Sequence, residues 1–384
     1  MLLDTKLSEA THCVHTGTQQ LEGDRGVNSP IITSSAFDYG AGLPNQYPRY
    51  FNLPNQEAVV QKLCALEGAE SGLLTSSGMS AISTVFMGLL EKGDHVIFQN
   101  NLYGGTHYFI AQMLERFGIA YTVLVGNTIA EYEEAIQPNT RLIYIETPSN
   151  PLLKITDIRA IAHLAKGKGI LTMIDNTFAS PINQQPIKLG IDVVIHSATK
   201  YLGGHSDICA GVIATSQELL KPIYVAAVNF GGCLDARVCY LLERSMKTLA
   251  LRVQRQNENA LKLAEFLEKE EQIGQVNYPG LASHPDHHLA ASQMLGGFGG
   301  MLSFEIKAGP AKAEAFVAKL KVISKALSLG GVESTICSPA QTTHIKISQA
   351  ERDAQGIKDE LLRLSVGIEE VNDLIYDIEQ ALCS

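Results

Sequence analysis

The sequence predicts an α/β protein: a mostly parallel central sheet with helices on both faces, followed by a smaller C-terminal α+β domain. Three observations predict it. Short apolar strands alternate with helical stretches from about residue 55 to 235, the pattern of strands buried on both sides by crossover helices. A long helical stretch, about Arg237 to Lys269, then breaks the alternation. Residues 274–384 carry fewer strand candidates, with Met301 to Ile306 and Leu361 to Ser365 the clearest. A chain of 384 residues has room for two or three domains, because single cores stop growing at roughly 250–300 residues.

The elements follow in order. Residues 1–50 are rich in Gly, Pro, Asn and Ser and have few periodic segments; such an arm needs another surface to lie on. Residues 78–91 set Ile82, Val85, Phe86, Leu89 and Leu90 on one helical face. Strands are expected at His95 to Phe98, Tyr121 to Val125, Arg141 to Ile145, Ile170 to Ile174, Val193 to Ile195 and Val212 to Ala214, with a helix at Ile158 to Ala165 between two of them. The last helix sets Val371, Leu374, Ile375, Ile378 and Leu382 on one face. The expected units are an arm (1–50), a ligand-binding domain (51–240) and a C-terminal domain (241–384).

Composition excludes several classes. At 45% apolar and 18% charged the chain is an ordinary globular mixture, not a disordered one. Thirty basic against forty acidic residues leave a net charge of −10, so no global field draws nucleic acid or an anionic membrane surface. No run of 18 apolar residues is present, and Met1 to Ala10 lacks the basic start and apolar core of a signal peptide. Seven scattered cysteines without a C-x-x-C pair argue against a disulfide framework or a cysteine-rich zinc site, and for a reducing cytoplasm. His284, His287 and His288 crowd one segment, read as a solvated loop, and His196 and His205 flank Lys200; no metal site is expected. The GGFGG run at 296–300 precedes a strand instead of opening a helix, so it is not a nucleotide fingerprint.

The chemistry-bearing residues stand where apolar strands end, and ligands of such sheets bind beyond the carboxyl ends of the strands. In VVIHSATKYLGGHSD (193–207), Lys200 follows a buried strand. A surface loop lysine looks the same in isolation; a partly buried one has a lowered ammonium pKa and can form a Schiff base. In ILTMIDNTFASP (170–181), Asp175 ends another strand. Alone it reads as a turn aspartate. With Lys200 it suggests pyridoxal phosphate, which needs a lysine for its aldehyde and an acid for its pyridine nitrogen. In TSSGMSAI (75–82), Ser-Ser-Gly precedes a helix; on its own this is more commonly an ordinary N-cap, and with the lysine and aspartate it reads as a phosphate cradle of free N–H groups. Ser197 and Thr199 offer further phosphate contacts. Tyr103, in LYGGT, is a ring able to stack on a flat cofactor or a core tyrosine. Tyr47 and Arg49, in QYPR, are a phosphate-binding pair or part of a solvated arm. Arg363 interrupts the apolar strand LLRLSVGIE and needs an anion, for which a substrate carboxylate is the natural candidate.

The ordered segments IETPSNPLL (145–153), DNTFASP, HSATKYLGGH, YPGLASHP (278–285), SLGG (328–331) and LLRLSVGIE resemble the γ-family of pyridoxal-phosphate enzymes of sulfur amino-acid metabolism, over about Thr11 to Leu382. That family holds cystathionine γ-synthases, cystathionine γ-lyases and methionine γ-lyases. The resemblance implies the PLP-dependent transferase fold of type I, pyridoxal 5'-phosphate as cofactor, and a homotetramer built from two dimers. It implies that Lys200 holds the cofactor and shuttles protons, that Asp175 pairs with the pyridine nitrogen, and that Tyr103 stacks on the ring. Gly78, Met79, Ser197 and Thr199 would hold the phosphate, and Tyr47 and Arg49 the phosphate of a neighbouring subunit. Asn150 would stand near the ring hydroxyl, and Arg363, assisted by Ser328, would grip the substrate α-carboxylate. The chain departs from the family at the mouth of the site, where Gln46, Tyr108 and Leu327 replace charged residues, and at Gly105, where methionine γ-lyases typically carry a cysteine. The expected activity is a cystathionine γ-lyase-like carbon–sulfur elimination in trans-sulfuration. The alternatives are γ-replacement on an O-acylhomoserine and a methionine γ-lyase-like elimination.

Two rivals stand further off. Ser197-Ala198-Thr199-Lys200 matches the S-x-x-K pattern of serine acyl-transfer enzymes, but Lys247-Thr248 is followed by Leu249 and Ser206-Asp207 by Ile208, so the companion motifs are broken. A scaffold that kept the fold without the chemistry would not need both Lys200 and Asp175.

Overall fold

A computed structural model describes residues 7–20, 23, 26–343, 345 and 348–383. Residues 1–6, part of the stretch read above for a leader, lie outside them. No helix among the described residues is long and apolar enough to cross a membrane.

The larger sheet is built from β1 (Ser71–Thr75), β2 (His95–Phe98), β3 (Ala120–Val123), β4 (Thr140–Glu146), β5 (Leu171–Asp175), β6 (Val193–Ser197) and β7 (Gly211–Thr215), in the spatial order β1-β7-β6-β5-β4-β2-β3. Strands β2 to β6 run parallel to one another, while β7 is antiparallel to both β6 and β1. Side chains alternate across the sheet. Ile143, Ile145, Ile174 and Val194 enter one apolar cluster, and Leu142, Tyr144, Met173, Val193 and Ile195 enter another on the opposite face. This two-sided burial explains why these strands read as continuous apolar runs. The register sets Glu146 beside Asp175, and Asp175 beside Ile195. The carboxyl ends of β4, β5 and β6 therefore open onto one edge.

The helices that matter for the site are α1 (Glu9–His15), α2 (Pro54–Glu67), α3 (Gly78–Leu89) and α4 (Gly104–Phe109). The arm is not bare throughout. Cys13 of α1 is buried in the core of the larger sheet, and the fully buried Lys62 of α2 donates to the carbonyls of Cys13 (2.8 Å) and His12 (3.4 Å). Those carbonyls lie in the last turn of α1, so the ammonium serves as its C-terminal cap.

The single helix expected from Arg237 to Lys269 is two helices, Ala236–Met246 and Leu249–Leu267. The break is held from a distance. The Arg252 guanidinium donates to Ser245 O (3.0 Å), an end carbonyl of the first helix, and to Tyr201 O (2.8 Å). The smaller sheet follows: β8 (Ile273–Asn277), β9 (Met301–Ile306), β10 (Ser324–Lys325), β11 (Thr335–Cys337) and β12 (Leu361–Ser365), in the order β10-β11-β12-β9-β8. The terminal helix Val371–Cys383 buries Val371, Leu374, Ile378 and Leu382 against it, with Ile375 partly covered. The HPDHH segment is not the solvated loop expected. His284 is buried, a helix begins at His287, and the Asp286 carboxylate accepts from Ile155 N at 3.0 Å. The segment is packed because Ala290 and Met294 dock on Ile155 and Ala179 of the larger domain.

Candidate active site

The site is assembled from strand ends. Beyond β1 the backbone turns at Ser77, whose hydroxyl accepts from Ser80 N at 3.0 Å and caps α3. The first-turn amides of Gly78 and Met79 have no partner within the helix and point outward, as helix N-termini do. A side chain at position 78 would place its Cβ 2.8 Å from Ser197 Cβ. Glycine there lets the helix end rest directly on the end of β6. Ser197 is fixed by its own N–H, which donates to Thr177 Oγ1 at 2.8 Å. The Thr199 hydroxyl exchanges hydrogen bonds with the backbone of Ala210, at 3.3 and 3.1 Å.

Lys200 leaves β6 in a turn closed by its N–H to Ser197 O at 3.0 Å. Its Nζ reaches across to the C-terminal domain and donates to Ser328 Oγ at 2.7 Å. Burial, and then the Arg363 guanidinium, push its ammonium down to about 8, against the opposing pull of Cys209 and Asp175. A lysine so placed carries far more neutral amine near physiological pH than an exposed one. Asp175, at the end of β5, accepts from Thr177 N at 2.9 Å. Burial raises its carboxyl; the Thr177 hydrogen bonds, then His196 and Lys200, act the other way. Below it His196 Nε2 meets Glu67 Oε1 at 2.6 Å, both nearly sealed from solvent.

Tyr103 stands just before α4, 44% exposed, with its ring packed against Gly105. A Cβ at position 105 would lie 2.4 Å from Tyr103 Cε1, so the ring takes this position because the residue is glycine. Arg363 comes from β12 and is only 3% exposed. Its Nη1 donates to Asn150 Oδ1 at 2.9 Å and its Nη2 to Ser328 O at 3.2 Å, while Nε is buried without a partner. Ser328 holds both cations from a left-handed backbone with φ 84°.

These groups line one cavity of about 960 Å³. It brings together Lys200, Asp175, Tyr103, Gly78, Met79, Ser197, Thr199, Asn150, Ser328 and Arg363. It does not include Tyr47 or Arg49. The Arg49 guanidinium instead donates to Val228 O at 2.8 Å and lies 5.8 and 5.3 Å from the Tyr47 and Tyr50 ring centres. Sequence reasoning missed Glu146, which lines the same cavity beside Asp175. Its signal was present, a carboxylate one residue past an apolar strand. Lys200 Nζ pairs with Ser328 and not with Ser197, which leaves the S-x-x-K motif without a serine–lysine contact.

The residues fit pyridoxal phosphate. The free amides at Gly78 suit a phosphate, the unpartnered Arg363 Nε suits a carboxylate, and an amine and an acid face a common space between them. Fold and cavity define the class, a pyridoxal-phosphate enzyme of amino-acid chemistry. Comparison with known proteins narrows it. Residues 10–383 match the family described as Cys/Met metabolism PLP-dependent enzyme. The chain is 43% identical over 380 residues to a cystathionine gamma-lyase of Bacillus subtilis (strain 168), covering 98% of this chain and 99% of that protein. It is 43% identical over 376 residues to a cystathionine beta-lyase of Lactococcus lactis subsp. cremoris (strain MG1363), covering 97% and 98%. The solved cystathionine gamma synthase of Xanthomonas oryzae pv. oryzae, in complex with aminoacrylate and cysteine, superposes with a TM-score of 0.94 at 39% identity over 98% of each chain. The chain belongs to the Cys/Met metabolism PLP-dependent enzyme family.

Proposed function

We propose that this enzyme is a carbon–sulfur lyase that eliminates the γ-substituent of a cystathionine-like amino acid in trans-sulfuration. The observation that carries the reading is the pair of cations from two domains, Lys200 and Arg363, joined through Ser328 over one cavity. An amine and a carboxylate fork so spaced suit the two ends of an α-amino acid. Bound pyridoxal phosphate supplies an aldehyde that captures amines and a protonated ring that draws electrons from the α-carbon.

The residues take these roles. Gly78, Met79, Ser197 and Thr199 hold the phosphate, Asp175 the pyridine nitrogen, and Asn150 stands near the ring hydroxyl. Tyr103 stacks on the ring. Arg363, with Ser328, binds the substrate α-carboxylate in a forked hydrogen bond. Lys200 would hold the cofactor, and its Nζ, when free and neutral, would take the α-proton and then help remove a β-proton. The Tyr103 hydroxyl assists departure of the γ-sulfur. The products are a thiol, ammonia and a 2-oxo acid, with one water consumed. Correctly aimed acid–base groups contribute on the order of 10²–10⁴-fold each. Tyr47 and Arg49 reach the phosphate of a neighbouring subunit, within a homotetramer. Residues 1–50 act as the intersubunit arm, 51–240 as the cofactor domain and 241–384 as the C-terminal domain. The seven unpaired cysteines suit a reducing cytoplasm.

A second reading is γ-replacement on an O-acylhomoserine. Tyr108 and Leu327, uncharged and more than half exposed at the mouth, offer no ionic partner to the distal head of cystathionine. A product screen separates the two. Purified protein is offered cystathionine, cysteine, homocysteine, methionine, and O-acylhomoserine plus cysteine. The lyase reading expects 2-oxobutyrate and ammonia from cystathionine. Cystathionine formed from the last pair favours replacement, pyruvate indicates β-elimination, and no product from cofactor-loaded protein sinks both.

A further inference from the structure

We infer that Glu146 is a positioning residue, which accepts a hydrogen bond from the Tyr103 amide and thereby sets where that ring stands over the cavity. The inference rests on the role proposed for Tyr103 and extends it to a nearly buried residue at the cavity wall. Glu146 ends β4 and is 6% exposed. Both its oxygens are in use. Oε2 accepts from Tyr103 N at 2.8 Å and Oε1 from the Tyr144 hydroxyl at 2.9 Å. Its own carbonyl is held by the Gln99 side chain at 2.6 Å. The carboxyl is therefore held between Tyr144 of its own strand and the residue before α4, while Gln99, just beyond β2, fixes the backbone beneath it.

Charge decides the form in which it does so. The register sets Asp175 on the neighbouring strand directly beside Glu146, and two like charges in one buried site cannot both be accommodated cheaply. The groups facing Glu146 are Asp175 from β5, the Tyr144 hydroxyl from its own strand and the Thr106 hydroxyl from α4; His196 and Lys200 stand beyond, on the side of Asp175. Burial first, then Asp175, push the Glu146 carboxyl up to about 8. Asp175, with Lys200 beside it, keeps the anion; neutral Glu146 keeps its bare Oε2 for the Tyr103 amide and shares the proton on Oε1 with the Tyr144 oxygen. The division resembles other paired carboxylates whose surroundings drive their acidities apart.

A neutral acceptor is replaceable by an amide, and the test uses that. Glu146→Gln and Glu146→Ala are compared with wild type in the cofactor-loaded protein and in the apoprotein. Three quantities are read: hydrogen exchange at the Tyr103 amide, the visible circular dichroism of the bound cofactor, and kcat against KM. Glu146→Gln is expected within about threefold of wild type in exchange and kcat, with the same dichroic band. Glu146→Ala is expected to exchange the Tyr103 amide roughly fivefold to tenfold faster, as loss of one net hydrogen bond implies. It should also lose kcat with little change in KM and alter the band. A Glu146→Gln protein as impaired as Glu146→Ala overturns the inference, because a charge is then required; so does an unchanged Tyr103 amide in Glu146→Ala. Should the alanine variant fail to fold, Glu146→Met, which keeps the length and removes the acceptor, takes its place in the same three readings. Wild-type protein that fails to form an imine with pyridoxal phosphate at Lys200 would instead overturn the proposed function, a result visible before either variant is made.

Discussion

The floor of the cavity and the segment around Arg49 both carry cations suited to a phosphate or an aldehyde, and the fold treats them in opposite ways. At the floor, Lys200, Asp175 and the α3 N-terminus converge because parallel register aligns the ends of β4, β5 and β6. One chain completes that cluster. Arg49 lies outside the cavity and is satisfied by its own neighbours, two tyrosine rings and the Val228 carbonyl. These are modest contacts, worth about 0.5–1.5 kcal/mol each. A cation held so lightly can be drawn to a doubly charged anion at small cost, whereas the floor residues have no comparable freedom. Groups fixed by a sheet are pre-aimed; groups fixed by an arm wait for a second surface.

Substitutions sharpen the contrast, and the largest effects belong to the floor. Lys200→Ala should abolish the imine absorbance of the bound cofactor and lower turnover by about 10³-fold or more; a spectrum matching wild type would remove Lys200 from the chemistry. If Asp175 pairs with the ring as proposed, Asp175→Asn would leave a buried cation without its anion, a break worth about 3–5 kcal/mol. Turnover should fall at least a hundredfold, and steady-state kinetics retaining a tenth of wild-type kcat would break the pairing with the ring. Arg363→Lys replaces a fork by a point charge and loses about 1.5–3 kcal/mol of charged hydrogen bonding. KM should rise tenfold or more while kcat changes less, and an unchanged KM would contradict carboxylate binding there. The pH dependence follows from Lys200. Its neutral amine is the form that captures an aldehyde, and its ammonium is pushed down to about 8. Capture of pyridoxal phosphate by apoprotein should therefore quicken from pH 6 and level off above about pH 8, as stopped-flow absorbance would show; a rate still climbing toward pH 10 would mean an ordinary lysine. Arg49→Ala should have the smallest effect, a several-fold faster loss of cofactor on dialysis. Retention equal to wild type would sever the arm from the phosphate.

Local pattern made the floor legible and long-range pairing hid the rest. Lys200 and Asp175 stand out because each comes at or just past the end of an apolar run, and Arg363 because it interrupts one, where a strand tolerates it only with a partner. Glu146 bears the same mark beyond Ile145, but its meaning depends on lying opposite Asp175, and register is not written within either strand. The antiparallel direction of β7 and the existence of β1, a run of Ser71-Gly72-Leu73-Leu74-Thr75, likewise depend on pairing. The interruption near Lys247 is set by Arg252 reaching back to Ser245 and across to Tyr201, contacts no helical period reveals. The segment around His284 looked exposed because it is polar, and it is packed where Asp286, Ala290 and Met294 meet the distant loop at Ile155.

Ser328 gives the two halves of the protein a shared trigger. Its hydroxyl engages Lys200, its carbonyl engages Arg363, and its φ of 84° is a conformation that costs a residue other than glycine about 1–3 kcal/mol. The carboxylate of an incoming amino acid would approach Arg363 where Ser328 already lies. Seating a carboxylate on Arg363 would therefore reach the same residue that holds Lys200, tying the two ends of the substrate to one backbone position.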